Sequence, residues 1–295
     1  MARSGFYKDK VALVSGGSRG LGLEIARQLC SRGAKVALLA RDSEELAKAK
    51  TELDRLGTDV LTVQCDLLES AQVQSAVQQT LQHFRKIDIL INNAGIIEVG
   101  PLAHMQLKDF DRAMRLHFWA PYILYFLVVQ HMRAKGGGRI VNISSIGGRI
   151  AVPHMVPYSA SKFALAGFSD AIRSELAHDK IYVTTVTPGM MRTGSHIHAT
   201  FKGDHAAEYR WFNASRKIPL VSISMERAAR KIVNACACGK AVLVMPFATY
   251  LLIAANAVFP NLMASAMRAF SRSLPPQVSQ SGNEPRLGAE ISRGK

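Results

Sequence analysis

Residues 11–22 read VALVSGGSRGLG, an apolar run that passes directly into a glycine-rich turn. Gly16, Gly20 and Gly22 are spaced by four and then two positions, which differs from the G-x-G-x-x-G pattern but meets the same physical need. A turn without Cβ atoms lets the backbone approach a pyrophosphate, and free N–H groups at the start of the next helix bind its oxygens. Because the turn lies between a predicted strand and a predicted helix, it predicts a dinucleotide site. The contacts predicted in it are Gly16, Ser18, Arg19, Gly20, Leu21 and Gly22.

Apolar, β-rich runs alternate with amphipathic segments along most of the chain. Near-continuous apolar strands separated by helices are typical of a parallel sheet covered on both faces. The sequence therefore predicts an α/β protein with a Rossmann-type, doubly wound sheet of seven parallel strands and helices on both faces. The predicted strands are 11–15, 35–40, 60–65, 87–92, 139–144, 182–187 and 242–245, and the predicted helices are 21–32, 43–56, 70–84, 108–134 and 156–178.

Composition narrows the class of protein. The 295 residues are 48% hydrophobic, which is enough for a large core, and the polar residues 1–10 predict that the chain stays in the cytoplasm. The formal net charge is +15, but the basic residues are dispersed and no nucleic-acid-binding motif is present, so we expect no nucleic-acid partner. Four scattered cysteines predict reduced thiols rather than a disulfide scaffold. His196, His198 and His205 have no accompanying carboxylate or cysteine cluster, so no metal site is predicted.

The end of the second predicted strand distinguishes the two nicotinamide dinucleotides. An acidic residue there would bind the ribose 2′-hydroxyl and repel a 2′-phosphate. The chain has Ala40 and Arg41 at this point, and Arg19 lies in the glycine turn. Two guanidinium groups favour the 2′-phosphate, so the predicted cofactor is NADP(H). Asp42 is interpreted as a cap of the next helix.

Two further segments end strands at the edge of the sheet where ligands bind in such folds. Asp66 follows the third strand, where it is predicted either to bind the adenine amino group or to cap the following helix. Asn93, Ala94 and Gly95 follow the fourth strand and offer small residues for a close approach of adenine and ribose.

A third group of residues carries the chemistry. Tyr158 and Lys162 are four residues apart on a predicted helix, so both side chains project from one face. A nearby ammonium lowers the pKa of a phenol, which is otherwise near 10. Ser145, thirteen residues before the tyrosine, offers a hydroxyl that can hold a carbonyl or alcohol oxygen. The combination predicts hydride transfer between a nicotinamide and a carbon–oxygen bond.

With the glycine turn, Asn92-Asn93-Ala94-Gly95, Ser145 and the Tyr158/Lys162 pair in this order, the chain resembles the classical short-chain dehydrogenase/reductases over about residues 10–194. The resemblance implies that Tyr158 is the general acid/base, that Lys162 binds the nicotinamide ribose and lowers the tyrosine pKa, and that Ser145 holds the substrate oxygen.

The same resemblance assigns further positions. Pro188, Gly189 and Thr193 would hold the nicotinamide carboxamide, and Asn93 would be the structural asparagine at the sheet edge. His117 stands where many members have an asparagine that anchors a water relay to the lysine. It is predicted either to keep an altered relay, with a changed pH profile, or to be a packed polar residue. Helices 108–134 and 156–178 would form a dimer or tetramer surface.

The expected domain organisation has three parts. Residues 1–245 form the NADP(H)-binding catalytic domain, whose irregular, aromatic-rich segment 190–223 predicts a mobile lid and an apolar or lipid-like substrate. Residues 246–274 form an apolar helical extension, and the polar residues 275–295 are predicted to be disordered.

The apolar extension has three interpretations. Residues 241–267 carry no charge, which is long enough for a membrane span by count, but Pro246 and Pro260 divide the segment into two short helices. The pair would pack beside the substrate site or in a subunit interface, or make a peripheral membrane contact through 247–272. A true span is the third alternative.

The predicted function is NADP(H)-dependent interconversion of a ketone or aldehyde and an alcohol. An alternative of another class is an NADP(H)-binding regulatory or scaffold protein with little catalysis, for which His117 is the only indication in the sequence.

Overall fold

A computed structural model describes residues 5–192, 194–215, 222–278 and 280–294. Its helices and strands alternate through most of the chain. In order they are β1 Val11–Ser15, α1 Gly20–Cys30, β2 Lys35–Ala40, α2 Ser43–Asp54, β3 Val60–Gln64, α3 Ser70–Phe84, β4 Ile89–Asn92, β5 Glu98–Val99, α4 Leu107–Met114, α5 Ala120–Ala134, β6 Gly138–Ile143, α6 Val156–Glu175, β7 Ile181–Pro188, β8 Met190–Arg192, α7 Ser195–His198, β9 Thr200–Phe201, α8 His205–Ser215, β10 Ser222–Ser224, α9 Met225–Ala237, β11 Val242–Met245, α10 Phe247–Val258, α11 Pro260–Ser271, β12 Arg286–Leu287 and α12 Gly288–Ser292.

The central sheet confirms the predicted seven parallel strands, in the order β3-β2-β1-β4-β6-β7-β11. Successive side chains of a strand point to opposite faces. Val14 therefore packs in one core cluster with Ile25 of α1, whereas Leu13 packs in the other with Leu124 of α5. Both faces are covered, which explains why the strands are apolar throughout.

The strand order brings three loops together. Chain order reverses between β1 and β4, and parallel strands end at the same edge, so the loops that follow β1, β4 and β6 are neighbours. Ligands of open α/β sheets bind at such a reversal.

Two helical features differ from the sequence prediction. The predicted helix 108–134 contains a π turn at Arg115–Trp119, in which the N–H of Ala120 donates to the carbonyl of Arg115. Helix α9 was not predicted; it begins after Ser224, whose hydroxyl accepts from Arg227 N, and it packs against α1 with Ile232 fully buried.

The C-terminal residues differ from the predicted disorder of 275–295. Strand β12 pairs antiparallel with β9, and β9 pairs with β5. The N–H of Gly288 donates to Ala199 O, and Ile291 packs against a core cluster that contains Phe201. Backbone pairing and this apolar contact order the described part of a segment whose composition is polar. Strand β9 itself lies in segment 190–223, for which the sequence predicted irregular chain.

Helices α10 and α11 follow β11 directly. No helix among the described residues is by itself long and apolar enough to cross a bilayer. Together, α10 and α11 have the length and apolar composition of a span, but a bend of 117° separates them. Thr249 is the buried residue of α10, and α11 has none among its described residues.

Candidate active site

The glycine turn is held by the loop after β4. Asn93 Nδ2 donates to Ser15 O at 3.2 Å and to Gly16 O at 3.1 Å. A Cβ on Gly22 would collide with Gly16 O and with this amide, and a Cβ on Gly16 would lie 2.9 Å from Ala94 Cα. The close approach therefore excludes side chains at both glycines. It leaves the N-terminus of α1, which begins at Gly20, facing the reversal point of the sheet.

Arg19 does not stand alone at the turn. Its Nη1 donates to Glu45 Oε1 at 2.7 Å, and Ser18 Oγ donates to Glu45 Oε2 at 2.9 Å. The predicted cap is present, because Asp42 Oδ1 accepts from Glu45 N at 2.9 Å and so fixes the first turn of α2. No carboxylate stands at the end of β2, but Glu45 of the next helix brings one to Arg19.

Arg41 and Asp66 share a cavity of about 420 Å³ with Gln64 and Gln72, beyond the ends of β2 and β3. Asp66 is not the helix cap that was one of its two interpretations. Its Oδ1 accepts from Leu68 N at 3.0 Å, and α3 begins only at Ser70. The carboxyl group thus stabilises a local turn beside a cavity that also presents Arg41.

Ser145 and Tyr158 lie together beyond the end of β6. Ser145 caps a short 3-10 turn, Ile146–Gly148, and accepts from Gly147 N at 3.1 Å. Its hydroxyl also lies near enough to the Tyr158 phenol to lower the pKa of that phenol. A Cβ on Gly147 would lie 3.2 Å from the tyrosine ring, so glycine permits this approach.

Lys162 lies one helical turn after Tyr158 in α6. Its Nζ is 5.9 Å from the centre of the tyrosine ring and donates to Ile143 O at 2.9 Å. Full burial lowers the pKa of Lys162 to about 7. Burial likewise raises the pKa of Tyr158, and the nearby Ser145 hydroxyl partly opposes that increase. Burial, rather than the ammonium, is therefore the largest influence on the tyrosine in this geometry.

His117 lies in the π turn and is completely buried. Its Nε2 accepts from Ile96 N at 3.1 Å, so Nδ1 carries the proton and donates to Ser161 Oγ at 2.7 Å. Ser161 Oγ donates in turn to Tyr158 O at 2.9 Å. Burial first, and then the Lys162 charge, hold the pKa of His117 well below its usual value. The neutral imidazole, with both nitrogens engaged by protein groups, joins the loop after β4 to the start of α6.

A buried charged cluster beside Tyr158 was missed by sequence reasoning. Lys202 Nζ donates to Asp109 Oδ2 at 2.6 Å and lies 3.8 Å from Glu98 Oε1. Burial, followed by the Asp109 charge, raises the pKa of Glu98. Both carboxyl residues line a small void with His117 and Tyr158. No local pattern identifies the cluster, because its members come from β5, α4 and the end of β9.

A second buried pair also lies in this region. His154 Nδ1 is 2.7 Å from Oε1 of Glu208, a fully buried residue of α8. Glu208 therefore connects α8 to the loop that precedes α6.

The remaining residues of the predicted cofactor site do not form a single group. Pro188 ends β7, and Gly189 N donates to Met245 O at 2.7 Å. Gly95 lies close to both His117 and Lys162, since a Cβ at this position would be 3.1 Å from Nε2 and 3.7 Å from Nζ. Thr193 lies outside the described residues. Within the described ranges, no group of three His, Cys, Asp or Glu side chains is placed to hold a metal ion.

A protein-family model and known proteins match this chain. The short chain dehydrogenase family matches residues 10–201. Over 194 residues the chain is 39% identical to the Streptomyces violaceoruber protein named "Granaticin polyketide synthase putative ketoacyl reductase 1", which covers 65% of this chain and 71% of the relative.

Two solved structures resemble the fold. L-sorbose reductase from Gluconobacter frateurii, complexed with NADPH and L-sorbose, superposes with a TM-score of 0.73 at 27% identity and covers 81% of this chain and 95% of its own. A short chain dehydrogenase/reductase from Burkholderia phymatum, in complex with NAD, gives a TM-score of 0.80 at 22% identity and covers 87% and 95%, which shows the shared fold. The chain belongs to the short-chain dehydrogenase/reductase family of oxidoreductases.

Proposed function

We propose that this oxidoreductase interconverts a ketone or aldehyde with the corresponding alcohol, using NADP(H). The observation that carries the proposal is the group formed by Ser145, Tyr158 and Lys162 at the sheet edge, next to the glycine turn and the N-terminus of α1. The nicotinamide supplies or accepts the hydride at the carbonyl carbon. The residues of this chain hold the oxygen and move the proton.

In the direction of reduction, the Ser145 hydroxyl donates to the substrate oxygen, where negative charge develops. Tyr158 transfers its phenolic proton to that oxygen, and in oxidation the phenolate takes the proton back. Lys162 would bind the ribose hydroxyls. Burial lowers the pKa of Lys162 to about 7, and hydrogen bonds that its ammonium donates to the ribose hydroxyls would favour the charged form. A cationic Lys162 would then lower the pKa of Tyr158.

The residues present fit a dinucleotide. The approach of Gly16 to Ala94 and of Gly22 to Asn93 forms a turn that side chains would block, as binding of a pyrophosphate requires. Beyond β2 and β3, the cavity with Arg41 and Asp66 would accept the adenosine part. Gly95, Pro188, Gly189 and Thr193 are proposed to line the ribose and nicotinamide.

Arg19 and Arg41 support NADP(H) because guanidinium groups pair with a phosphate by charge-assisted hydrogen bonds. Glu45 tempers this preference, since its carboxylate already accepts from Arg19. The solved relatives are complexed with NADPH in one case and NAD in the other, so the choice rests on this chain's own residues.

The proposed substrate is apolar or acyl-like. Tyr158 lies against a cluster whose buried members include Val99, Met155, Phe201 and Phe212. The ketoacyl reductase name of one relative agrees with such a substrate, whereas the sorbose reductase handles a polar one.

A homodimer or homotetramer is proposed through α5 and α6. Trp119 precedes α5, Tyr122 and Phe126 lie on it, and Phe163 lies on α6; all four are exposed. A second copy of the same surface would bury them, since large exposed apolar patches mark interfaces.

The test is oxidation of NADPH by the purified protein against carbonyl compounds of increasing apolar size, with NADH in parallel. We expect turnover with NADPH that rises with apolar size. Binding of NADPH without turnover of any carbonyl would instead favour the regulatory or scaffold alternative.

A further inference from the structure

The α10–α11 pair exposes a large apolar surface. Its exposed side chains include Phe247, Tyr250, Leu251, Val258, Phe259 and Leu262. Water-soluble surfaces rarely carry contiguous apolar patches of this kind unless something covers them.

The exposure covers most of the surface of α10 and leaves one side, with Thr249 and Asn256, against the protein. Residues 250, 251 and 252 are consecutive and all exposed, and successive residues of a helix are about 100° apart, so they span more than half of the circumference of α10. No charged residue occurs from 241 to 267. A fluid apolar medium can contact the whole of so broad a surface. A wide, uncharged apolar surface of this kind favours a membrane environment.

Basic residues stand where the apolar segment ends. Arg268 and Arg272 are both exposed, and neither is within ion-pair distance of a carboxylate in the described part of the chain. From residue 190 onward the chain has 14 Lys or Arg against 5 Asp or Glu. Basic residues near a bilayer are attracted to anionic headgroups.

The dimensions fit one leaflet. Each helix has 12 residues, or about 18 Å at 1.5 Å per residue, which is shorter than the ~30 Å hydrocarbon core of a bilayer. The 117° bend folds the pair back before it could cross. On the protein side, Phe270 of α11 lies 6.3 Å from Trp211 of α8, between ring centres. The pair therefore adjoins the lid.

We propose that α10 and α11 insert into one leaflet of an anionic phospholipid bilayer, with Arg268 and Arg272 at the lipid phosphates. The proposal does not depend on the catalytic assignments. Insertion would place α8, which contacts α11, beside the apolar molecules that dissolve in the bilayer.

The test is sedimentation of the full chain with phosphatidylserine/phosphatidylcholine vesicles and with pure phosphatidylcholine vesicles. Two double variants are compared with wild type: Leu251→Glu with Leu262→Glu, and Arg268→Gln with Arg272→Gln. Leu56→Glu is the control, because Leu56 is exposed in the turn that follows α2. Only variants with the wild-type unfolding midpoint are compared.

We expect wild type and the Leu56 control to sediment with anionic vesicles, and the leucine double variant to remain in the supernatant. The arginine double variant should bind roughly 30-fold more weakly, as two basic contacts at an anionic surface predict. Equal binding of the leucine double variant and wild type would overturn the proposal, as would wild type failing to sediment with anionic vesicles. Light scattering without lipid measures the oligomer mass. If wild type does not bind vesicles and the leucine double variant has a lower oligomer mass than wild type, a second copy of the chain covers α10 and α11 instead of lipid.

Discussion

Arg19 Nη1 lies 2.7 Å from Glu45 Oε1, so a carboxylate holds the guanidinium proposed to receive a 2′-phosphate. The pair is half-exposed, and exposed ion pairs contribute only ~0–1 kcal/mol. A phosphate with nearly two negative charges can therefore displace Glu45, at the cost of repulsion if the carboxylate stays near. Glu45 would therefore weaken the NADP(H) preference that is proposed for Arg19 and Arg41.

Glu45→Gln should tighten NADPH binding by about 3- to 10-fold, because the amide neither competes as strongly for Arg19 nor repels the phosphate. NADH binding should change less than about twofold, since NADH lacks the 2′-phosphate. Titration calorimetry measures both. Glu44→Gln is the matched control, one residue earlier in the same first turn of α2. An equal gain for both dinucleotides would refute the role of Glu45.

Lys162 should make the stability of the cofactor-free protein depend on pH. Its folded pKa of about 7 lies below the unfolded value near 10.4, so between these values the unfolded chain binds the extra proton and stability increases with pH. From pH 7 to 9 this contribution amounts to about 2 kcal/mol. Urea unfolding of wild type and Lys162→Met at both pH values isolates it. The expected result is a rise in wild type that is absent in the variant; parallel curves would contradict the low pKa.

His117 should support the active site by holding its hydrogen-bond partners in place, and not by gaining or losing a proton. His117→Leu leaves Ile96 N and Ser161 Oγ without their buried partner, which costs about 2–4 kcal/mol of unfolding free energy. His131→Leu, at an exposed site of α5, is the control. The lowered pKa keeps the imidazole neutral throughout the neutral range, so His117 should add no inflection to the pH profile of kcat/KM. Wild type and the conservative variant His117→Asn should therefore show the same inflections. An inflection lost in that variant would restore the predicted pH role.

Lys202 should stabilise the folded protein through the buried cluster that it forms with Glu98 and Asp109. Lys202→Met leaves the Glu98 and Asp109 carboxyl groups buried together, and loss of one partner of a buried ion pair typically costs about 3–5 kcal/mol. The loss should be smaller at pH 5 than at pH 8, because Glu98 already has a raised pKa and a proton neutralises it. Thermal unfolding at both pH values checks this, with Lys108→Met as an exposed control. A destabilisation that is equal at both pH values would contradict the coupling.

The sequence was sufficient to predict the sheet because buried parallel strands are apolar at every position, and β1 and β2 were predicted with the bounds they have. The order of motifs was also sufficient to place Ser145 near Tyr158. Glu45 was missed because its contact with Arg19 depends on how α2 packs beside α1. Lys202 was missed for the same reason, since it meets Asp109 across 93 residues of chain. The polar composition of residues 275–295 predicted disorder. In the described part of this segment, however, β12 pairs with β9 and places Arg286 opposite Phe201.

Single-turnover oxidation of NADPH by Tyr158→Phe tests whether Tyr158 transfers the proton. Tyr182→Phe, at an exposed site of β7, is the control. With the best carbonyl found for wild type, and NADPH affinity shown to be unchanged, the rate constant of Tyr158→Phe should fall by about 10²–10⁴-fold. A rate within threefold of wild type, with the same affinity, would contradict the assignment.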